Sequence, residues 1–191
     1  MCSSEAVHFN DVNWATALHA FSGRRKKGLN PWEGEAWREK VFAGILQHLA
    51  EHLEDDFESF APGSTRIIAA SLAKIDRPHP AIFRAITSPS NSSHLANHGL
   101  PNDIALVARA VAKLEVPGAR EFMESLDPHS KYIVTEGAWD DVAHISSAFE
   151  KVYYPFGGGG WEWWRAVHEH EVYRGRVERE REERGGRFGR L

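Results

Sequence analysis

The chain repeats one short phrase three times. The copies begin at residues 72, 111 and 149 and read Leu-Ala-Lys-Ile-Asp-Arg-Pro, Val-Ala-Lys-Leu-Glu-Val-Pro and Phe-Glu-Lys-Val-Tyr-Tyr-Pro. Their starting points therefore lie 39 and 38 residues apart. Because a constant period of about 20–50 residues is typical of stacked structural repeats, the sequence predicts a fold made of similar units.

Each unit has the pattern of a helix that ends at the proline of the phrase. Apolar residues four positions apart lie on one helix face, and we expect them to be buried between successive units: Ile68, Leu72, Val107, Val111, Ile145 and Phe149. Eight residues before each phrase stand Ser64, Asp103 and Asp141, whose short oxygen-bearing side chains predict N-caps. Because proline cannot continue a helix, Pro78, Pro117 and Pro155 are predicted to lie in turns.

A second, shorter apolar segment follows the first two prolines, at 81–86 and 119–126. Each unit is therefore predicted to be a helical hairpin. The fold class that we predict is all-α: an α-solenoid of stacked hairpins of about 38 residues, within a helical-repeat domain over 1–155. A glycine hinge at 156–160 and a helical extension make up the second domain, 156–191.

The repeated unit resembles the helical repeats of octotricopeptide proteins and of FAST-kinase-like and RAP-domain proteins. The resemblance rests on the small-residue-rich helix, the lysine-hydrophobic pair, the proline and the second helix with a phenylalanine, and it covers about residues 62–155. It implies an α-solenoid that acts on RNA in a mitochondrion or a plastid, for example as a structural subunit or assembly factor of the mitochondrial ribosome. The RAP domain has no visible counterpart in this sequence.

Three sets of basic residues are candidate RNA contacts. Lys74, Lys113 and Lys151 occupy the same place in successive units, so a regular stack would arrange them as a ladder about one helix-packing distance apart. A lysine in the last helical turn can also serve only to offset the helix dipole. The other two sets are a loop between glycines and an arginine-glycine tail, namely Arg24, Arg25, Lys26 and Lys27 in the loop and Arg184, Arg187 and Arg190 in the tail.

The rest of the chain is predicted to be helices and connectors. Helices are expected at 10–22 and at 35–60, the second with Trp37, Val41 and Phe42 on its apolar side and ended by Pro62-Gly63. The polar, breaker-rich stretch 87–94 is predicted to be a loop. Another break is expected at 127–130, and the sequence leaves open whether 132–134 completes a second helix.

Two further motifs each have two possible interpretations. His48, Glu51 and His52 satisfy the H-x-x-E-H pattern of a zinc protease family, but a charged helix face produces this short pattern readily, so no metal site is predicted. Three tryptophans, Trp161, Trp163 and Trp164, open the C-terminal helix. They are predicted to be a docking face, of a terminal cap or toward a partner, rather than a platform on which bases stack.

The composition excludes several function classes. The single Cys2 excludes an internal disulfide framework, and no apolar run approaches the roughly 18 residues of a membrane span. No phosphate-binding glycine loop or activated nucleophile is present, so neither catalysis, a cofactor nor a small-molecule substrate is expected. The net charge of −4 means that any basic surface must be local. Two functions remain: an RNA-binding subunit, with ribosomal RNA and neighbouring proteins as partners, or a protein scaffold in a large organellar complex without RNA contact.

Overall fold

The computed structural model describes residues 10–23, 36–153, 159–172 and 174, and all regular structure in these ranges is helical. The prediction of an all-α chain is confirmed there. The helices are α1 (Asp11–Gly23), α2 (Ala36–Asp55), α3 (Pro62–Ile75), α4 (Pro80–Thr87), α5 (Pro89–His98), α6 (Pro101–Lys113), α7 (Ala119–Leu126), α8 (Ser130–Glu136) and α9 (Trp139–Tyr153). A last helix, α10, covers 161–172. Short 3-10 helices occupy Phe57–Ser59 and Asp127–His129.

The helices α1, α3, α6 and α9 pack side by side in chain order. A second set packs beside them, in which α2 contacts α4 and α5 contacts α7. The six apolar residues expected between successive units are all buried. Small side chains such as Ala69, Ala108 and Ala148 are buried with them, which lets neighbouring helices approach closely.

Proline begins four of the helices, because its fixed φ suits the first helical position and its missing N–H is not needed there. These prolines are Pro62, Pro80, Pro89 and Pro101. Pro62 therefore starts α3, whereas the sequence predicted that it only ends the preceding helix. Pro78 and Pro117 lie between helices as predicted, and Pro155 lies outside the described residues.

The predicted N-caps are wrong by three positions. Ser64, Asp103 and Asp141 lie in the third helical position, because each helix begins three residues earlier than the cap pattern indicated. The two aspartates still act at the helix start: Asp103 Oδ2 accepts from Leu100 N at 3.2 Å, and Asp141 Oδ2 accepts from Ala138 N at 3.1 Å. A carboxylate in this position satisfies a backbone donor that the helix leaves open.

The C-terminal ends of α3 and α6 share one unusual geometry. Asp76 has φ 58° and Glu115 has φ 51°, so both lie in the left-handed region. This conformation turns the chain back, so that Arg77 N donates to Leu72 O at 3.1 Å and the equivalent amide of the next unit does the same. Such a bond satisfies a carbonyl that the helix end leaves free. The two acids occupy the same place in the repeated phrase.

Several connectors differ from prediction. The stretch 87–94 is not a loop, because α5 begins at Pro89 within it. The predicted helix over 35–60 is divided into α2 and a 3-10 helix, and Val41 is exposed rather than on the apolar side. The break at 127–130 is itself a 3-10 helix that leads into α8, which contains 132–134.

Candidate nucleic-acid interface

Two of the three ladder lysines reach back to the preceding unit. Lys113 Nζ donates to Ala73 O at the end of α3 and lies 3.8 Å from Asp76 Oδ1. One unit later, Lys151 Nζ donates to Lys113 O at 3.3 Å and lies 3.1 Å from Glu115 Oε1. Each lysine therefore caps the helix before it and pairs with the acid in the left-handed position. Both side chains remain about half exposed, so their charges still face solvent.

Two adjoining grooves run across α3, α6 and α9. The first, the α3–α6 groove, has a volume of about 240 Å³ and is lined by Ala70, Ala73, Lys74, Leu106, Arg109, Ala110 and Lys113. The second, the α6–α9 groove, has the same volume and is lined by Arg109, Ala112, Lys113, His144, Ser147, Ala148 and Lys151. Arg109 and Lys113 line both. Among the described residues no carboxylate lines either groove, although the chain has 27 acidic and 23 basic residues and Asp76 and Glu115 pair with two of the groove lysines.

A side-chain pair bridges the two helices of the α6–α9 groove. Arg109 Nη1 lies 3.2 Å from His144 Nε2. A guanidinium can only donate hydrogen bonds, so this ring nitrogen is the acceptor. Neither Arg109 nor His144 was predicted from the sequence, because neither residue type recurs at the equivalent positions of the other units.

Another cavity has a mostly acidic lining, in contrast to the basic lining of the two grooves. A third cavity, of about 530 Å³, lies between the end of α2 and the α4–α5 junction and has four acids among its lining residues. They are Glu54, Asp55, Asp56 and Glu58, with Arg84 opposite. The lining of the two grooves is therefore basic where that of this cavity is mostly acidic, so the grooves suit an anion better than the cavity does.

The other two sets of candidate RNA contacts are not part of the described structure. The loop residues Arg24, Arg25, Lys26 and Lys27 and the tail residues Arg184, Arg187 and Arg190 lie outside the described residues. Their contact with RNA stays a prediction.

The three tryptophans of α10 separate into one core residue and two surface residues. Trp163 is 0% exposed, its ring stacks on Phe149 with centroids 5.4 Å apart, and its Nε1 donates to Ser146 Oγ at 3.1 Å. Trp163 therefore docks within its own chain, as expected for a terminal cap, and its buried ring is not accessible to an external partner. Trp161 is 77% exposed and Trp164 is 38% exposed, so both are accessible to another molecule.

The start of α10 is fixed by contacts from two directions. The Asp127 carboxylate accepts from Trp163 N at 2.8 Å and from Glu162 N at 3.3 Å, so a residue 35 positions earlier in the sequence acts as the helix cap. Gly160 has φ 69°, and a Cβ there would lie 2.5 Å from the Phe149 ring. Only glycine fits at this approach.

The H-x-x-E-H pattern forms an ordinary exposed helix face. His48 Nδ1 lies 3.3 Å from Glu51 Oε2, and both side chains are about half exposed. A hydrogen bond from Gln47, helped by His48, holds the pKa of Glu51 below its ordinary value. Across the described residues, no three His, Cys, Asp or Glu side chains come together as a metal site.

No family model, curated protein or solved structure matches this chain. A membrane-spanning helix is likewise not found in the described part, where no helix is both long and apolar enough.

Proposed function

We propose that this chain is a non-enzymatic α-solenoid of hairpins of about 38 residues that binds RNA across α3, α6 and α9. One observation carries the proposal: in an acidic chain, the described residues that line two adjoining grooves include four cations and a histidine but no carboxylate. Cations on successive helices, spaced at about 8–10 Å, suit an extended phosphate backbone better than a compact anion. Contacts of this kind bind RNA without reading its sequence.

The solenoid part of the proposal is supported by contacts that recur from unit to unit. Lys113 and Lys151 make the same kind of contact with the preceding helix end, and Asp76 and Glu115 have the same backbone geometry. Recurring nearest-neighbour contacts are the defining property of a solenoid.

The lysines that cap helices are held in place before any ligand arrives. Lys113 and Lys151 have their ammonium groups fixed by a carbonyl and a carboxylate, while about half of each side chain stays exposed. The nearby acids offset part of the charge, so the affinity for RNA is expected to be modest. Modest affinity fits a resident part of a large ribonucleoprotein better than a free RNA-binding protein.

The test is a binding assay with a matched control. We expect a fluorescently labelled single-stranded oligouridylate to bind, and Arg109→Gln to weaken it by about tenfold, since a hydrogen bond from a charged group contributes roughly 1.5–3 kcal/mol. Arg84→Gln removes the same charge beside the acidic cavity and should leave binding unchanged. Equal effects of the two substitutions, or no binding by the native chain, would refute the proposed interface.

The cellular setting is proposed from the resemblance to organellar repeat proteins. We place the chain in a mitochondrion, or in a plastid where the cell has one, as a structural subunit or assembly factor of the mitochondrial ribosome. Imaging of a full-length tagged protein tests this directly. A purely cytosolic signal would remove the ribosomal assignment.

A protein scaffold without RNA contact is the second candidate, and the exposure of Trp161 and Trp164 favours it. Large aromatic side chains on a surface are typical of protein interfaces. Association with an RNA-containing particle separates the two functions. If Trp161→Ala with Trp164→Ala releases the chain, while neutralising Arg109 and the basic residues of the loop and tail does not, the scaffold function is correct.

A further inference from the structure

The two grooves occupy equivalent places between successive units, but their chemistry differs at three positions, two of which form a pair in one groove only. Arg109 on α6 and His144 on α9 face each other in the α6–α9 groove. One unit earlier, at the corresponding positions, the α3–α6 groove has Ala70 on α3 and Leu106 on α6. The pair is therefore specific to one groove, whereas each groove is lined by two of the lysines that end the helices.

The hydrogen bond determines which way Arg109 is directed. Its side chain lines both grooves, and its contact with His144 Nε2 draws the guanidinium toward α9. Because Nε2 accepts, a neutral ring carries its proton on Nδ1, which is buried and has no hydrogen-bond partner among the described residues. The bond to His144 uses one guanidinium N–H, and a guanidinium has five to donate.

We propose that the α6–α9 groove is a phosphate site, in which Arg109, positioned by His144, contacts one phosphodiester of the bound RNA. Lys113 and Lys151 supply two more positive charges at the same groove, and Ser147 supplies a hydroxyl. The α3–α6 groove is also lined by three cations, Lys74, Arg109 and Lys113, but it lacks the pair. Its other four lining residues are three alanines and a leucine, which suit the sugar or base of an adjoining nucleotide. The inference rests on the proposed RNA binding and assigns separate parts of a nucleotide to the two grooves.

His144 is a positioning residue in this account, so its effect must depend on Arg109. With oligouridylate as the probe, we expect His144→Leu to weaken binding several-fold and Arg109→Gln by about tenfold. The double variant should be no weaker than Arg109→Gln alone, because removing the positioning residue has no effect once the positioned group is gone. Effects that multiply in the double variant would mean that His144 acts independently, and would overturn the inference.

A transplanted pair gives a test by gain of affinity. Ala70→Arg with Leu106→His builds the same pair in the α3–α6 groove, on two side chains that already line that cavity. One added phosphate contact should steepen the slope of log affinity against log salt by about 0.7, the value for a single strand. The control, Ala70→Gln with Leu106→His, adds similar volume without charge and should keep the native slope. An unchanged slope in the transplanted variant would refute the phosphate assignment.

These outcomes are separable from failure of the proposed function. If the native chain does not bind RNA, or Arg109→Gln binds as well as native, the interface itself is wrong. If Arg109→Gln weakens binding while His144→Leu and the transplanted pair have no effect, RNA binding stands and the assigned phosphate site falls.

Discussion

Val111 lies in α6, which has packed helices on both sides, and its side chain is 0% exposed. Truncation to alanine removes two methyl groups and leaves a cavity that neighbouring helices cannot fully close. We expect Val111→Ala to lower the free energy of unfolding by about 2 kcal/mol, measured by urea denaturation. Val12→Ala is the matched control, because Val12 is 57% exposed in α1 and its truncation should have little effect.

Tyr153 gives a second prediction, on alkaline stability. Burial, with the negative charge of Glu124 as the next cause, raises the pKa of Tyr153 from 10.0 to about 12. Between pH 10 and 12 the unfolded phenol ionises while the folded phenol does not, so stability that is complete below pH 10 falls as pH rises. Urea midpoints at pH 9, 10 and 11 should fall more steeply for the native chain than for Tyr153→Phe.

The same substitution has an expected result at neutral pH. Tyr153 Oη is buried without a hydrogen-bond partner in the described structure. Removing an unsatisfied hydroxyl costs little or is favourable, so Tyr153→Phe should unfold at the native urea concentration or above it at pH 7. A clear loss of stability would show that the hydroxyl has a partner.

Some residues of the candidate site were predictable from the sequence, and others were not. The lysines at 74, 113 and 151 were found because they recur, but sequence could not show that Lys113 and Lys151 cap the preceding helices. Arg109 and His144 were missed because they differ from their equivalents, and a search for repeated residues discards such positions. Aligning the units and comparing charges position by position would have brought out Arg109 beside Ala70 and Ser147.

Helix α10 shows how a single side chain holds an element in place. Asp127 accepts hydrogen bonds from two amides at the start of α10, and these amides have no partner within their own helix. We expect Asp127→Ala to cost about 1 kcal/mol, as for other lost caps. Because α10 would then detach more readily, the Trp163 side chain should become more exposed to solvent and its fluorescence emission should shift to longer wavelength.

Two variants make this prediction specific. Asp127→Asn keeps an oxygen acceptor and should lose less stability than alanine. Asp56→Ala removes an exposed carboxylate that precedes a 3-10 helix without capping it, and should leave Trp163 fluorescence unchanged. A shift of equal size in all three variants would contradict the assignment of Asp127 as the cap of α10.

The helices were predictable from the sequence where apolar periodicity was strong, and a polar helix was not. The helices α3, α6 and α9 were expected because their apolar residues recur at spacings of four and seven and a proline follows. Helix α5 was missed because its serines, asparagines and first proline are typical of a loop. Leu95 and Ala96 are buried within it, so tertiary packing overrides the local preference.

For the whole molecule, the order of the helices predicts a gradient of local stability. Helix α6 has a neighbour on each side, in α3 and α9, whereas α1 and α10 lie toward the two ends of the described chain. In a chain of nearest-neighbour contacts, interior units open least often. Amide hydrogen exchange should therefore be slowest in α6 and faster in α1 and α10. Equal protection throughout would indicate one cooperative unit and would count against the solenoid.

The capping lysines also make the interface between units directional. The segment 101–138 supplies one partner to each of two junctions. Lys113 binds the end of the helix before it, and Glu115 pairs with the lysine of the helix after it. A second copy of 101–138 inserted after residue 138 would therefore meet a matching surface at each end. We expect the lengthened chain to fold with one additional groove. In the proposed solenoid, the number of grooves can thus increase by gene duplication, and the packing of α6 on its own copy is the one new junction.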